Sequence, residues 1–331
     1  MRRSTALRLA ATLAVGLAAC SGDDGTDGAD GAGPTTTEQE PTTTTTAVSG
    51  TDGCGGPRPE VDDGRLVHAT LESSGGTRAY MVYVPETYDP DVPAPVAYVF
   101  HGASSNKEQQ LAYSAYPPHA DEDGALLVLP DALGTPTRWS PLGPAVAGVE
   151  GVNDLELFDD LYAAVGDAYC VDRTRVLVTG MSSGGFMAGA VACTRSDLVT
   201  AAGPVTATVP PDALCASAEP VAYAYFHGTA DAAVPFEGGA GSPGPVKATS
   251  QAWAEHNGCT AEPTDERVGT EVVHRSWDGC DASTDLYIVE GGGHTWPGAV
   301  ALGGLGYTTK DIDASAIIWD VFRSAWPDGA G

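Results

Sequence analysis

Lysine and arginine are scarce in this chain of 331 residues, where 16 basic side chains stand against 44 acidic ones and the formal net charge is −28. Nucleic-acid binding requires a basic surface, so this balance argues against a nucleic-acid partner. Cysteine pairs of the C-x-x-C type are absent, and the metal sites that depend on this spacing are not expected. We therefore predict neither a bound metal nor a cofactor.

A long apolar segment occurs only within the first twenty residues. Leu9 to Ala19 follow several arginines and are too few to cross a bilayer, which predicts a signal peptide over residues 1–20. The segment ends in Leu17-Ala18-Ala19-Cys20, which resembles the lipobox of bacterial lipoproteins and implies a lipidated Cys20. The alternative is an ordinary secretory signal. Either way the protein is expected outside the cytoplasm, anchored to the outer face of the membrane by its lipid or secreted.

Large apolar side chains are nearly missing from residues 21–53, which consist mostly of Gly, Asp, Thr, Pro and Glu. This composition cannot bury enough surface to offset the entropy of ordering, so we predict a disordered tether. The remaining residues, 54–331, suffice for one large hydrophobic core, and we predict a single domain there.

Six cysteines follow Cys20, and an even number in an exported protein indicates disulfides. Many pairings are possible from sequence alone. Short separations favour Cys193–Cys215 and Cys259–Cys280, which leaves Cys54–Cys170 to tie the N-terminal end to the domain.

Short apolar runs alternate with helical patterns along the domain. Strands are predicted at residues 95–102, 125–132, 175–180, 221–228 and 285–294. Their apolarity is continuous, which indicates a parallel sheet covered on both faces. A hairpin around Ser73-Ser74-Gly75-Gly76 precedes them, and helices are predicted at 154–169 and 312–326, the latter burying Ile317, Ile318, Val321 and Phe322. Together these patterns predict an α/β fold with a mostly parallel central sheet and helices on both faces.

Gly180-Met181-Ser182-Ser183-Gly184 fits the pattern G-x-S-x-G between a predicted strand and a predicted helix. The glycines allow a tight turn that exposes Ser182, and the helix start presents N–H groups to a developing oxyanion. Ser182 is therefore the candidate nucleophile, and Ser183 is the candidate oxyanion donor through its backbone N–H. The alternative is a Gly/Ser-rich loop with no chemistry.

A serine hydroxyl needs a base before it becomes a good nucleophile. Among seven histidines, His294 is the candidate because it follows the last predicted strand and a run of three glycines. Asp231 comes directly after a predicted strand, between Ser182 and His294 in the chain, and is the candidate acid. The alternative is that Asp231 is a turn aspartate whose side chain bonds its own backbone. The order Ser182, Asp231, His294 is the one that a strand–turn–helix nucleophile elbow requires.

The segment His101-Gly102-Ala103 follows the third predicted strand. We expect a backbone N–H around Ala103 to complete the oxyanion hole and His101 to brace the loop. Trp139 and Trp296 are expected to wall an acyl or aromatic pocket, and packing in the core or rim is the alternative.

Five segments together resemble the esterases of the polyhydroxybutyrate depolymerase family, a group that includes feruloyl and acetylxylan esterases and a branch of surface lipoproteins. These segments are residues 99–106, 171–188, 227–236, 291–298 and 311–322. The resemblance implies an α/β-hydrolase fold without metal, with Ser182, Asp231 and His294 as a catalytic triad. Residues 153–157 and 238–245 depart from the family pattern, which bears on substrate choice.

The sequence thus predicts an exported serine carboxylesterase that acts through an acyl-enzyme on hydroxyalkanoate oligomers, feruloyl esters or acetyl esters. The chain ends a few residues after the last predicted helix, which favours soluble or oligomeric esters over crystalline polymer. The alternatives are an inactive surface lipoprotein that binds a small molecule and a serine peptidase of the same fold.

Overall fold

The computed structural model describes residues 50–141, 149–211, 215, 219–239 and 243–327. The predicted signal peptide, the lipidation site Cys20 and nearly all of the predicted tether lie outside these residues, and the domain boundaries stay predictions. Within the described part of the chain, no helix is long and apolar enough to span a membrane.

One ten-stranded sheet organises the described residues. Its strands are β1 (Leu66–Ser73), β2 (Gly76–Tyr83), β3 (Ala94–Phe100), β4 (Leu126–Pro130), β5 (Val171–Met181), β6 (Ala201–Val205), β7 (Ala222–Gly228), β8 (Thr264–Val268), β9 (Val272–Ser276) and β10 (Thr284–Val289). Their order across the sheet is β1-β2-β4-β3-β5-β6-β7-β10-β9-β8. The strands from β4 to β10 in this order pair in parallel, whereas β1–β2 and β8–β9 form antiparallel edges. This confirms the predicted mostly parallel sheet and the predicted opening hairpin.

Burial explains which strands the sequence revealed. Every residue of β3, β4 and β7 is buried, so these strands are apolar without alternation. The sequence did not reveal β6, although it lies in the centre of the sheet, because it contains Pro204, and proline is unusual in a central strand. It did not reveal β8 as an apolar run either, because that edge strand is polar and mostly exposed.

Helices cover both faces of the sheet. They are α1 (Lys107–Ser114), α2 (Pro117–Asp123), α3 (Asp154–Ala168), α4 (Ser183–Thr194), α5 (Val246–His256) and α6 (Ala314–Ser324). Side chains of β3 alternate between two buried clusters: one contains residues of α3, α4 and α5, and the other contains residues of α2 and α6. The two clusters confirm the predicted helices on both faces.

The predicted buried face of the last helix is partly wrong. The helix begins after Asp313, whose carboxylate accepts hydrogen bonds from the first-turn N–H groups, and it buries Trp319 beside Ile318 and Phe322. Ile317 and Val321 are only half-buried. The face is rotated because the indole N–H of Trp319 reaches Asp123 of α2.

Three disulfides join Cys54 to Cys170, Cys193 to Cys215 and Cys259 to Cys280. The predicted pairing is confirmed. Disulfides of this kind persist in oxidising compartments, so they indicate an extracellular protein.

Candidate active site

The turn after β5 has the geometry of a nucleophile elbow. Ser182 has φ +55° and ψ −119°, a sparsely populated conformation for a residue with a side chain. Its backbone N–H donates to the carbonyl oxygen of Val205 at 2.9 Å, and α4 begins at the next residue. A Cβ atom on Gly184 would lie 2.1 Å from the carbonyl oxygen of Phe100, so no other residue fits there. The motif glycine therefore lets β3 and the elbow approach closely.

A hydrogen bond joins the other two predicted catalytic side chains. Nδ1 of His294 donates to Oδ2 of Asp231 at 2.8 Å, and both residues are buried. The second carboxylate oxygen, Oδ1, accepts the backbone N–H groups of Ala233 and Val234, each at 2.9 Å. Asp231 thus acts both as a turn aspartate and as the partner of His294. A proton on Nδ1 leaves Nε2 of His294 free to accept one.

The environment of Asp231 keeps its carboxylate ionised. Burial by itself would raise the pKa of Asp231, but the hydrogen bond and charge of His294 and the N–H of Val234 lower it below its ordinary value. A charged Asp231 is what an imidazolium at His294 would need as its counterion.

A second histidine approaches the same carboxylate, and sequence analysis assigned it no role. Nε2 of His227 lies 2.7 Å from the carbonyl oxygen of Val234 and 3.4 Å from Oδ2 of Asp231. Because a carbonyl only accepts, Nε2 bears the proton, and Nδ1 accepts from the hydroxyl of Tyr225 at 2.7 Å. Burial lowers the pKa of His227, which keeps it neutral. Its position near the end of β7, four residues before Asp231, was the only sequence signal.

His101 supports the loop after β3. Its Nε2 accepts the backbone N–H of Ala132 at 3.0 Å, and its Nδ1 donates to the carbonyl oxygen of Gly102 at 2.7 Å. The indole N–H of Trp139 donates to the backbone oxygen of His101 at 2.7 Å. Burial lowers the pKa of His101, so the ring stays neutral. These contacts hold the loop that brings Gly102 and Ala103 to the cavity.

A cavity of about 490 Å³ opens at the carboxyl ends of the parallel strands, a size typical of small-molecule sites. Ser182, His294, Gly102 and Ala103 line it. The remaining wall comprises Ser105, Gln109, Gln110, Ala112 and Tyr113 on or near α1, together with Met181, Val300, Leu302 and Leu305. No Asp, Glu, Lys or Arg is among the described lining residues. Nor do the described residues contain a group of three or more His, Cys, Asp or Glu side chains arranged to hold a metal ion.

The prediction that Trp139 and Trp296 wall the pocket is wrong. Only 2% and 1% of their surfaces are exposed, and neither lines the cavity. Trp139 packs edge-on against Phe100 with ring centroids 5.2 Å apart, and the indole N–H of Trp296 donates to Oγ of Ser315 at 2.9 Å. Both indoles find their hydrogen-bond partners in the interior, which explains why they pack there. The cavity walls instead come from α1 and from residues 300–305.

The sheet, the elbow and the strand-end cavity define an α/β-hydrolase fold, and comparison with solved structures agrees. The acetyl xylan esterase from Aspergillus awamori matches with a TM-score of 0.58 and 16% identity, over 77% of this chain and 99% of that one. The feruloyl esterase module from Clostridium thermocellum matches with a TM-score of 0.50 and 15% identity, over 82% of this chain and 94% of that module. At such identities these likenesses establish the fold alone.

Relatives in sequence indicate what kind of α/β-hydrolase the chain resembles, although no family model matches it. Feruloyl esterase D from Neurospora crassa is 27% identical over 265 residues, which cover 75% of this chain and 83% of that protein. Probable feruloyl esterase C from Aspergillus terreus is 25% identical over 255 residues, 75% of this chain and 85% of that protein. Putative esterase NocK from Nocardia uniformis is 28% identical over 273 residues, which cover 73% of this chain and 77% of that protein. The chain thus has an α/β-hydrolase fold and is similar in sequence to feruloyl esterases, and these relatives indicate a carboxylic ester hydrolase of the serine-hydrolase type.

Proposed function

We propose that the protein is an exported carboxylesterase with Ser182, Asp231 and His294 as its catalytic triad. The observation that supports this most strongly is the convergence of three strand ends on one cavity. The strained elbow presents Ser182 there, and His294 reaches the same cavity while its far ring nitrogen is bonded to a buried, ionised Asp231.

In the proposed reaction, Oγ of Ser182 attacks the ester carbonyl carbon, and Nε2 of His294 takes the hydroxyl proton. Asp231 stabilises the imidazolium that results. When the tetrahedral intermediate collapses, the C–O bond to the alcohol breaks and His294 returns the proton to the departing oxygen. Water then attacks the acyl-enzyme with His294 again as base, the acid leaves, and Ser182 recovers its proton.

The negative oxygen of the intermediate requires donors that are already in place. We assign this role to the backbone N–H groups of Ser183 and Ala103. Ser183 is the first residue of α4, where N–H groups have no partner within the helix and the helix dipole is positive. Ala103 lines the cavity on the loop that His101 braces.

For the substrate, we propose esters of aromatic acids of the feruloyl type. The support is the naming of the relatives together with a cavity whose non-catalytic wall is largely apolar and, among described residues, uncharged. Acetyl esters and hydroxyalkanoate oligomers are the competing substrates that the sequence raised.

An ester panel tests this assignment. Methyl ferulate, p-nitrophenyl acetate, p-nitrophenyl butyrate and hydroxybutyrate oligomers are compared by kcat/KM, with Ser182→Ala as the background. We expect methyl ferulate to be hydrolysed faster than the hydroxybutyrate oligomers; the reverse order would transfer the proposal to hydroxyalkanoates. A serine-directed phosphonate separates an enzyme from an inactive binding protein, because only the enzyme is labelled, and peptide mapping should find the label on Ser182.

The N-terminal assignment needs its own experiment. We propose that Cys20 is lipidated after removal of the signal peptide. In that case the wild-type protein partitions with membranes in the native host and Cys20→Ser appears in the medium or fails to mature. Equal partitioning of both forms into the soluble exported fraction would favour ordinary secretion.

A further inference from the structure

One side-chain atom on the non-catalytic wall of the cavity, the amide nitrogen of Gln110, has no hydrogen-bond partner. Gln110 lies in α1, lines the cavity, and exposes only 2% of its surface, yet its Nε2 makes no hydrogen bond. A buried amide N–H without a partner is destabilising, typically by about 1–3 kcal/mol. Such groups are rare in native proteins, and each calls for an explanation, which in a binding cavity includes a partner supplied by the ligand.

The helix that holds Gln110 is fixed at both ends. The backbone N–H of Lys107 donates to Oδ1 of Asp131 at 2.9 Å, and its ammonium donates to Oδ2 at 2.6 Å. At the other end, Oγ of Ser315 donates to the carbonyl oxygen of Ser114. Gln110 is therefore held against the cavity by contacts at each end of α1, not by a hydrogen bond of its own amide nitrogen.

Other polar side chains on this wall take part in hydrogen bonds within the protein. Oγ of Ser105 donates to Oε1 of Gln109 at 3.0 Å, and the hydroxyl of Tyr113 accepts the backbone N–H of Trp296 at 3.2 Å. The rest of the wall is mainly apolar. Among the described lining residues, the amide nitrogen of Gln110 is the one buried polar side-chain atom without a hydrogen bond, which makes Gln110 the candidate to bind a polar atom of the substrate.

We propose that Gln110 determines specificity by hydrogen bonding to an uncharged oxygen on the acyl group, such as a ring hydroxyl. This rests on the proposed esterase function. An amide donates through nitrogen and accepts through oxygen, and rotation of its terminal torsion exchanges the two, so it matches a hydroxyl that also does both. A charged substituent would lose its hydration without gaining a counterion, because no Asp, Glu, Lys or Arg is among the described lining residues.

The test compares methyl cinnamate with its 2-, 3- and 4-hydroxy derivatives, using wild type and Gln110→Met, which keeps the length and removes the amide. For at least one ring position, we expect the ratio of kcat/KM for hydroxylated over plain cinnamate to fall by about 5- to 15-fold in the variant, the size of one neutral hydrogen bond. Plain cinnamate has no ring hydroxyl and serves as the reference, so that any change common to all substrates cancels from the ratio. Gln251→Met, on α5 and outside the cavity lining, is the matched control and should leave every ratio unchanged.

A binding measurement separates this inference from the proposed function. In a Ser182→Ala background, calorimetry compares the Kd values of the free hydroxycinnamic acids and cinnamic acid with and without Gln110→Met. The same loss of discrimination supports the role of Gln110 even if wild type hydrolyses none of the esters. Equal losses for all ligands would make Gln110 a structural residue and overturn the inference, as would ratios that do not change at any ring position.

Discussion

Two walls of the cavity differ sharply in how they are held. On the proposed catalytic wall (Ser182, Asp231, His294 and the loop of His101), the side chains of Asp231, His294 and His101 are buried and fixed by hydrogen bonds of 2.7–3.0 Å. The apolar rim (Val300, Leu302 and Leu305) has no such bonds from its side chains and is open to solvent: 67% of Val300 and 43% of Leu302 are exposed.

This difference reflects what each wall must do. Proton transfer needs donors and acceptors held within hydrogen-bond reach. The buried side chains of the catalytic wall therefore lie at strand ends, where hydrogen bonds to neighbouring residues fix them. Binding an apolar group needs only surface that a ligand can remove from water, and exposed apolar side chains at a cavity mouth provide it. Changes to the first wall should therefore alter kcat, whereas changes to the second should alter KM.

The largest expected effect is at Ser182, the proposed nucleophile. Ser182→Ala should lower kcat by about 10⁴-fold or more, because triad members act as a unit. The substitution removes one oxygen from an elbow that its backbone holds, so the melting temperature should stay close to that of wild type. Ser183→Ala keeps its backbone N–H and should retain far more activity. If Ser183→Ala were the inactive variant, the assignment of the elbow would be wrong.

A smaller loss is expected behind the triad. His227→Asn removes the ring that contacts both Val234 and Asp231, and displacement of Asp231 should lower kcat by about 10- to 100-fold with little change in KM. Tyr225→Phe removes only the bond to Nδ1 and should have a weaker effect. Steady-state kinetics at saturating substrate makes the comparison. An increase in KM alone would show that His227 does not position Asp231 for the reaction.

The same buried rings predict a pH dependence of stability. The pKa values of His101 and His227 are lowered by burial, so below about pH 6.5 the unfolded chain binds protons that the native state does not. The free energy of unfolding should therefore be highest above this pH. Below it, each histidine should contribute a decrease of up to about 1.4 kcal/mol per pH unit until its native pKa is reached.

Urea titrations between pH 4.5 and 8 measure this slope, a range that lies above the window in which Asp231 protonates. His227→Asn should flatten it relative to wild type. An unchanged slope in both His227→Asn and His101→Asn would show that neither ring is kept neutral by burial.

The smallest effect is expected at the apolar rim. Leu302→Ser removes part of the apolar surface offered to the substrate and should raise KM for methyl ferulate by about two- to fivefold, with kcat unchanged. Val61→Ser is the matched control, since 41% of Val61 is exposed but it does not line the cavity. A fall in kcat for Leu302→Ser would mean that the rim also orients the reacting ester.

Local patterns were enough to locate much of this architecture. Strands buried on both faces are continuously apolar, so the sequence predicted β3, β4 and β7. Each candidate catalytic residue follows a predicted strand: Ser182 follows β5, Asp231 follows β7 and His294 follows β10. Parallel strands bring their carboxyl ends to one edge of the sheet, which is why Ser182 and His294, over a hundred positions apart, could be predicted to meet.

The sequence by itself therefore predicted most of the strands, the elbow around Ser182 and its two proposed partners, because each depends on local patterns and order along the chain, and it favoured the cysteine pairs that the structure contains. The inner surface of the cavity depends instead on how distant segments pack. Gln110 faces it because α1 is fastened to Asp131 and to Ser315, the latter about two hundred positions from its partner. Trp139 does not face the cavity, because its indole N–H donates to the buried backbone oxygen of His101. Only the tertiary structure decides which of several polar or aromatic side chains meets a ligand, since that choice depends on contacts no local pattern encodes.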